Sequence, residues 1–307
     1  MNADAGRRRR ILALALAVGV LSLTVVAVSA YLRLDAAGLG CADWPACYGG
    51  LLAGAPAPQH YGFARLLHRI AASAALVLAC VLVWQCLRPQ PLPAARPAAL
   101  LLLLMLGLSA LGFLSADPRR ALVGFLNIVG GLGLVSFSWR VALAAGDGRQ
   151  GWPRPAPGGA LFRLGVAALT LTVLVGAWIG ATYSALACPS LPFCAGGLRA
   201  LAEGWPALDP LRSLAAVALP GDAGGTLLHL LHRGLALASV FALGGALLVA
   251  ARRGVRRGGA LAALVLLLLV AGLGMAAVAG GLGLWMVIAH GTAAALLLAA
   301  VAALLRR

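Results

Sequence analysis

Long apolar segments, separated by short polar or Gly/Pro-rich stretches, make up most of this chain. Eight segments approach or exceed the roughly 20 residues that a helix needs to cross a bilayer. They span 11–32, 61–87, 97–115, 121–143, 162–187, 225–251, 259–279 and 283–305. A short Gly-Gly stretch alone separates the last two, which indicates a tight turn. The pattern predicts an all-α integral membrane protein with eight transmembrane helices.

Composition supports this fold class. Hydrophobic residues make up 62% of the chain and charged residues only 10%, whereas a soluble domain carries about a quarter charged residues. The net charge of +16 would suggest a nucleic-acid partner in a soluble protein. Here the arginines concentrate in alternate loops, so we expect no nucleic acid.

Arginine placement predicts the orientation. With the N-terminus in the cytoplasm, sixteen arginines fall in inside segments and five in outside segments. This positive-inside bias predicts a multi-pass protein of the cell (inner) membrane with both termini cytoplasmic. The first apolar segment follows Arg7–Arg10 like a signal peptide, but it is too long for an h-region, so an uncleaved helix is expected.

Two outer loops, 33–60 and 188–224, carry the same cysteine pattern. Cys41 and Cys47 in the first loop, like Cys188 and Cys194 in the second, form Cys-x5-Cys with a central proline and a Gly-Gly exit. Matched cysteine pairs outside the cytoplasm are most simply disulfides. Metal binding and free thiols are the alternatives, and zinc is disfavoured because the loops contain a single histidine, His60.

The repeated loop divides the chain into two halves, 1–145 and 161–307, joined by a Pro/Gly-rich cytoplasmic linker at 146–160. Each half runs helix, cysteine loop, His-Arg helix, helix, helix. Four helices return the chain to its starting side, so the repeats are parallel. We therefore expect two pseudo-symmetric four-helix bundles, related by an axis along the membrane normal.

Histidines within the spans suggest chemistry. Leu-Leu-His-Arg occurs twice, ending at Arg69 and at Arg233. His232 and His290 each lie about seven residues from the outer end of a helix, roughly 10 Å deep. Two imidazoles facing each other across a bundle are axial ligands for haem iron. Hydrogen-bonded packing is the alternative, but intramembrane ionisable residues are functional by default.

The first half offers a less complete site. By the repeat, His68 corresponds to His232, Asn127 to His290 and Arg65 to His229. Asparagine is a poor iron ligand. We therefore expect one strong axial ligand in this half, His68, with the opposite face of the iron open or weakly occupied.

The duplicated plan, the loop string Gly-Leu-Gly-Cys-x-Asp-Trp-Pro-x-Cys-Tyr-Gly and the helix string His-Leu-Leu-His-Arg resemble the haem A synthase family over nearly the whole chain. The resemblance implies a haem b cofactor between His232 and His290. It also implies that the first half holds haem O through His68 and oxidises a ring methyl to the formyl of haem A, for cytochrome oxidase biogenesis. Cys41 and Cys47 are implicated in catalysis or redox handling.

The same resemblance implies partners: a haem O synthase that delivers the substrate, and an external electron donor that the sequence does not identify. Whether chains associate into a homo-oligomer is also open.

Two positions depart from the family pattern. Arg65 stands where the family has a glutamate, and Asn127 where it has a histidine on the fourth helix. Arg65 can pair with a haem propionate or extend toward the outer surface. For Arg69 and Arg233 we expect propionate or structural contacts.

Two other functions compete with the synthase interpretation. One is a non-catalytic haem-binding or electron-transfer relative in which only the C-terminal haem site is intact. The other is an unrelated transmembrane cytochrome b that takes electrons from a quinol.

Overall fold

The computed structural model is all-helical over the residues that it describes, with no β-strand among them, and the predicted fold class is confirmed. Eight of its helices are long and apolar enough to cross a membrane. The described residues are 2–39, 41, 43, 45–52, 54, 62–114, 117–146 and 159–305.

The helices follow the predicted order, with one short addition. In the first half they are α1 (Asn2–Ala36), α2 (Gly62–Leu87), α3 (Ala95–Gly112) and α4 (Ala121–Gly146). In the second half they are α5 (Ala160–Ala181), α6 (Gly197–Glu203), α7 (Ala223–Arg252), α8 (Arg257–Ala279) and α9 (Leu284–Leu304). All except α6 are candidate spans. We call the side with the cysteine loops the outer side and the side with the chain termini the inner side.

Two helix boundaries differ from the prediction for identifiable reasons. α1 begins well before residue 11 and includes Arg7. Arg7 is buried, and its guanidinium donates to the backbone oxygens of Gln85 and Gln90 at 2.8 Å each. α5 ends at Ala181, whereas the pattern predicts an end at 187. Shortly after this end, Tyr183 takes a positive φ of 52°. A helix cannot continue through that conformation, and the chain enters a short 3-10 turn.

The helix order within each half is the same, but the packing is not. In the first half α1 packs against both α2 and α4, and α3 joins α2 to α4. In the second half α5 packs on α7, α7 on α8 and α8 on α9, while α5 and α9 hardly touch. The second bundle is therefore more open between its first and last helices.

The halves meet through α4 against α9, flanked by α1 against α9 and α4 against α5. Two aromatic pairs belong to this interface. Tyr31 stacks on Trp285 with ring centroids 5.6 Å apart, and Phe125 meets Trp178 edge-on at 5.4 Å. This arrangement is compatible with a pseudo-twofold axis. The division at the linker stays a prediction, because most of 146–160 lies outside the described residues.

Candidate functional site

His232 on α7 and His290 on α9 lie side by side, with ring centroids 6.3 Å apart and ring planes at 77°. Each ring is anchored through Nδ1 to a backbone carbonyl on a neighbouring helix. The acceptors are Thr172 on α5 and Val270 on α8, both at 3.0 Å. A carbonyl only accepts, so Nδ1 carries the proton and the neutral ring keeps its lone pair on Nε2.

A glycine makes room for each ring, four residues beyond the carbonyl acceptor. A Cβ at Gly176 would lie 2.8 Å from Cε1 of His232, and one at Gly274 would lie 3.0 Å from Cε1 of His290. Real Cβ atoms essentially never show the first distance, and the second is tighter than nine in ten real Cβ contacts. The imidazoles therefore pack directly on the bare backbones of α5 and α8, which fixes their positions and their tautomers together.

The spacing of the two rings fits a haem iron held by two imidazoles. An iron about 2 Å from each of two facing nitrogens would place the ring centroids about 6 Å apart, close to the spacing of His232 and His290. No described residue hydrogen-bonds Nε2 of either ring. No group of three or more His, Cys, Asp or Glu forms a metal site among the described residues, and a six-coordinate haem iron takes only two protein ligands.

Arg233, directly after His232, reaches the second cysteine loop. One guanidinium nitrogen donates to the backbone oxygens of Ser190 and Pro192 at 2.8 and 3.1 Å. The other donates to the backbone oxygen of Cys188 at 3.0 Å. Cys188 and Cys194 lie within disulfide-bonding distance, with Cα atoms 5.1 Å apart. Arg233 thus makes the structural contacts that were one of its two expected roles, and a propionate contact stays a prediction.

His229, the other histidine of the same helix string, has a structural contact that the sequence did not reveal. It is buried, and its Nε2 lies 3.0 Å from the backbone oxygen of Ser184. Trp178 makes a comparable link, donating its indole N–H to Ala207 at 2.8 Å. Together they attach the outer segments to α7 and α5 beside the histidine pair.

In the first half, His68 and Asn127 are both partly buried, on α2 and α4, and neither makes a side-chain hydrogen bond to a described residue. Arg65 and Arg69 are exposed on α2. The anchoring seen at His232 and His290 is therefore not repeated around His68. His60 lies outside the described residues.

The first cysteine loop is packed against the second half. Cys41 and Cys47 lie within disulfide-bonding distance, with Cα atoms 6.6 Å apart. At the end of α1, Arg33 donates to the backbone oxygen of Gly180 at 2.8 Å. Tyr48 and Tyr183 flank this arginine, and burial raises the pKa of both phenols. Both tyrosines therefore stay neutral beside the partly buried Arg33 cation.

Fold and site together define a multi-pass membrane protein with a paired intramembrane histidine site. Residues 122–302 match the COX15-CtaA family, described as cytochrome oxidase assembly protein. This stretch is more than half of the chain, and the chain belongs to that family. The match contains Asn127, His232 and His290.

The chain is also similar to the Heme A synthase of Shewanella oneidensis, at 29% identity over 198 residues. The alignment covers 58% of this chain and 59% of that protein. The chain therefore spans about three-fifths of the length of this curated relative.

Proposed function

We propose that this protein is a haem A synthase-like oxidoreductase of the membrane. It binds haem b in its C-terminal half and oxidises a ring methyl of haem O, its substrate, to the formyl of haem A for cytochrome oxidase biogenesis. The observation that carries the proposal is the His232–His290 pair, anchored and spaced as axial ligands. The similarity to a Heme A synthase supports the reaction class.

The second half holds the cofactor. His232 and His290 would hold the iron through the nitrogens left free of hydrogen bonds to described residues, while the carbonyls of Thr172 and Val270 accept the Nδ1 protons. An imidazole that donates from its second nitrogen is oriented and made a stronger ligand. Haem b, when bound, supplies one-electron oxidation and reduction.

The first half receives the substrate. His68 binds haem O on one face, and Asn127 leaves the opposite face open. Arg65 and Arg69 on α2 contact the propionates, because a guanidinium matches a carboxylate in shape and charge. The oxidant in this proposal is dioxygen. Each of two hydroxylations uses one dioxygen and two electrons with two protons from a donor outside the protein, inserts one oxygen atom into the methyl group and releases the other as water. The resulting gem-diol loses water to give the formyl.

The outer loops serve redox handling in this proposal. Cys41 and Cys47 form a disulfide on the outer side, and Cys188 and Cys194 form its counterpart. Both chain termini and the linker face the cytoplasm of a cell whose inner membrane contains the protein. A haem O synthase is the proposed source of substrate.

A second function is favoured by specific residues: a haem-binding or electron-transfer relative without catalysis. Neither α2 nor α4 contains an Asp or Glu, so no intramembrane carboxylate on these helices can act as acid or base next to His68. Asn127 cannot replace the second imidazole. In this alternative only the C-terminal haem site works.

One experiment separates the two functions. The protein is purified from cells that make haem O, and the extracted haems are identified by mass in the wild type, His68→Ala and His232→Ala. The synthase proposal predicts haem b together with haem A or hydroxylated haem O. His68→Ala should lose the oxidised product and keep haem b, whereas His232→Ala should lose haem b. A single haem b, with no oxidised product, would establish the alternative.

A further inference from the structure

The turn between α7 and α8 forms a basic concavity on the inner side of the molecule, far along the chain from the histidine pair. Its volume is about 260 Å³. The lining residues are Leu248, Ala251, Arg252, Gly254, Arg257 and Leu261. We call this set the α7–α8 pocket. Two guanidinium groups thus share one concavity with two leucines.

The turn has a fixed conformation. Gly254 and Arg256 take positive φ angles of 73° and 46°, and Val255 donates its N–H to Ala250 at 2.9 Å. Arg256 also donates to the backbone oxygen of Ala303 at 2.9 Å, near the end of α9. The hydrogen bond of Arg256 therefore attaches the turn to a third helix, α9. Arg252 precedes the turn at the end of α7, and Arg257 follows it at the start of α8.

No described carboxylate neutralises these arginines. Every Asp or Glu side chain that the structure describes lies at the outer ends or in the outer loops of the helices: Asp35, Asp43, Asp117, Glu203, Asp209 and Asp222. Both described ion pairs, Arg120–Asp117 and Arg199–Glu203, are also outer. α7 ends and α8 begins at this turn, so their helix dipoles offset each other, and among the described residues no negative group offsets the arginine charge.

The apolar part of the pocket is exposed on two candidate membrane spans, where lipid would contact it. Leu248 and Leu261 are 39% and 40% exposed, on helices that span the membrane. A ligand that fits this pocket must place a negative group beside the arginines of the turn. It must also place a hydrocarbon chain along the leucines, toward the interior of the bilayer. Arginine pairs bind phosphate oxygens well, and basic pockets between spanning helices bind phospholipid headgroups.

We propose that the α7–α8 pocket binds one anionic phospholipid. The phosphodiester lies between Arg252 and Arg257, and the first part of an acyl chain lies along Leu248 and Leu261. This site is independent of the proposed haem chemistry, since it shares no residue with it.

The test titrates the delipidated full-length protein with phosphatidylglycerol and counts bound lipid by native mass spectrometry. A basic residue near a membrane surface contributes about fivefold in affinity, so the R252Q/R257Q double variant should bind about thirtyfold more weakly. Arg253→Gln is the single-charge control, because it removes one charge from the same turn without lining the pocket, and it should weaken binding clearly less than Arg257→Gln alone or the double variant.

Three outcomes would overturn the proposal. The first is equal binding by the double variant and Arg253→Gln. The second is displacement of the lipid by inorganic phosphate at matched concentration, which would indicate a site for free phosphate. The third is a lipid-independent dimer that the same substitutions break. If the double variant does not fold, Arg257→Gln alone should weaken binding about fivefold.

Discussion

Two glycines determine the positions of the His232 and His290 rings. Gly176 and Gly274 leave the backbones of α5 and α8 bare where an imidazole lies against them. The carbonyl one helical turn earlier accepts the Nδ1 proton in both cases. The same arrangement of a carbonyl acceptor and a glycine four residues later occurs on α5 and α8. It holds the two rings at a centroid distance expected for two imidazoles on one iron.

Gly274→Ala should therefore disturb the site without removing a ligand. The new methyl would lie 3.0 Å from the His290 ring, and overpacking of this kind costs about 1–3 kcal/mol. We expect a shifted haem absorbance spectrum and faster haem loss on heating. Gly272→Ala on the same helix is the control, because its Cβ would meet nothing within 4 Å. Identical spectra and identical haem loss in the two variants would contradict this interpretation.

Arg233 should protect the second cysteine loop. Its guanidinium donates to three backbone oxygens of that loop, so Arg233→Gln should let a water-soluble reductant reach the Cys188–Cys194 pair several times faster. Maleimide mass-tagging after timed reduction measures the rate. Arg212→Gln, an exposed outer arginine, serves as control. Equal rates in both variants would show that Arg233 does not hold the loop.

At the residue scale, the sequence identified the histidines but not their anchors. His232 and His290 were detectable because an imidazole stands out in an apolar helix. Thr172 and Val270 act through backbone oxygens, which every residue has, and Gly176 is one of 40 glycines. Their importance depends on which helix faces them, and that information appears only in the folded chain.

At the scale of elements, the helices agree with the hydropathy pattern because membrane thickness imposes their length. The differences lie at the ends. The charge pattern predicts Arg7 as a flanking positive charge, yet it is buried and joins α1 to the end of α2 and to the segment after it. The short α6 has too few residues for a span and too little periodicity to be predicted.

Arg7→Ala should destabilise the contact between α1 and the end of α2. Hydrogen bonds from a charged group contribute about 1.5–3 kcal/mol each to stability, so the loss of both should lower Tm by on the order of 10 °C. Differential scanning fluorimetry in detergent gives this value. Arg9→Ala, which removes an exposed arginine of the same helix, should leave Tm nearly unchanged. A similar Tm for both variants would argue against the buried contact.

At the scale of the whole molecule, the two halves share an element order but differ in packing. α1 and α4 lie along each other in the first half, whereas α5 and α9 hardly touch in the second. The more open half is the one with the histidine pair. Repeats in the sequence predicted the shared order, but not this difference, which depends on the side chains at each helix contact.

Arginine distribution gives the whole chain a predicted orientation, which a pair of fusions can test. A fluorescent protein fused after Arg307 should fluoresce, because it folds in the cytoplasm. Alkaline phosphatase inserted after Asp209, in the second outer loop, should be active, because it requires an oxidising compartment. The reverse pattern would place the cysteine loops in the cytoplasm and remove the argument for two disulfides.

The central claim is that His232 and His290 are the two axial ligands of one haem. Electron paramagnetic resonance of the oxidised, purified protein tests it most directly, alongside His232→Ala, His290→Ala and Gly272→Ala. We predict a low-spin ferric signal from two imidazole ligands in the wild type and in Gly272→Ala, and its loss in each histidine variant. A low-spin signal that survives in either histidine variant would contradict the account.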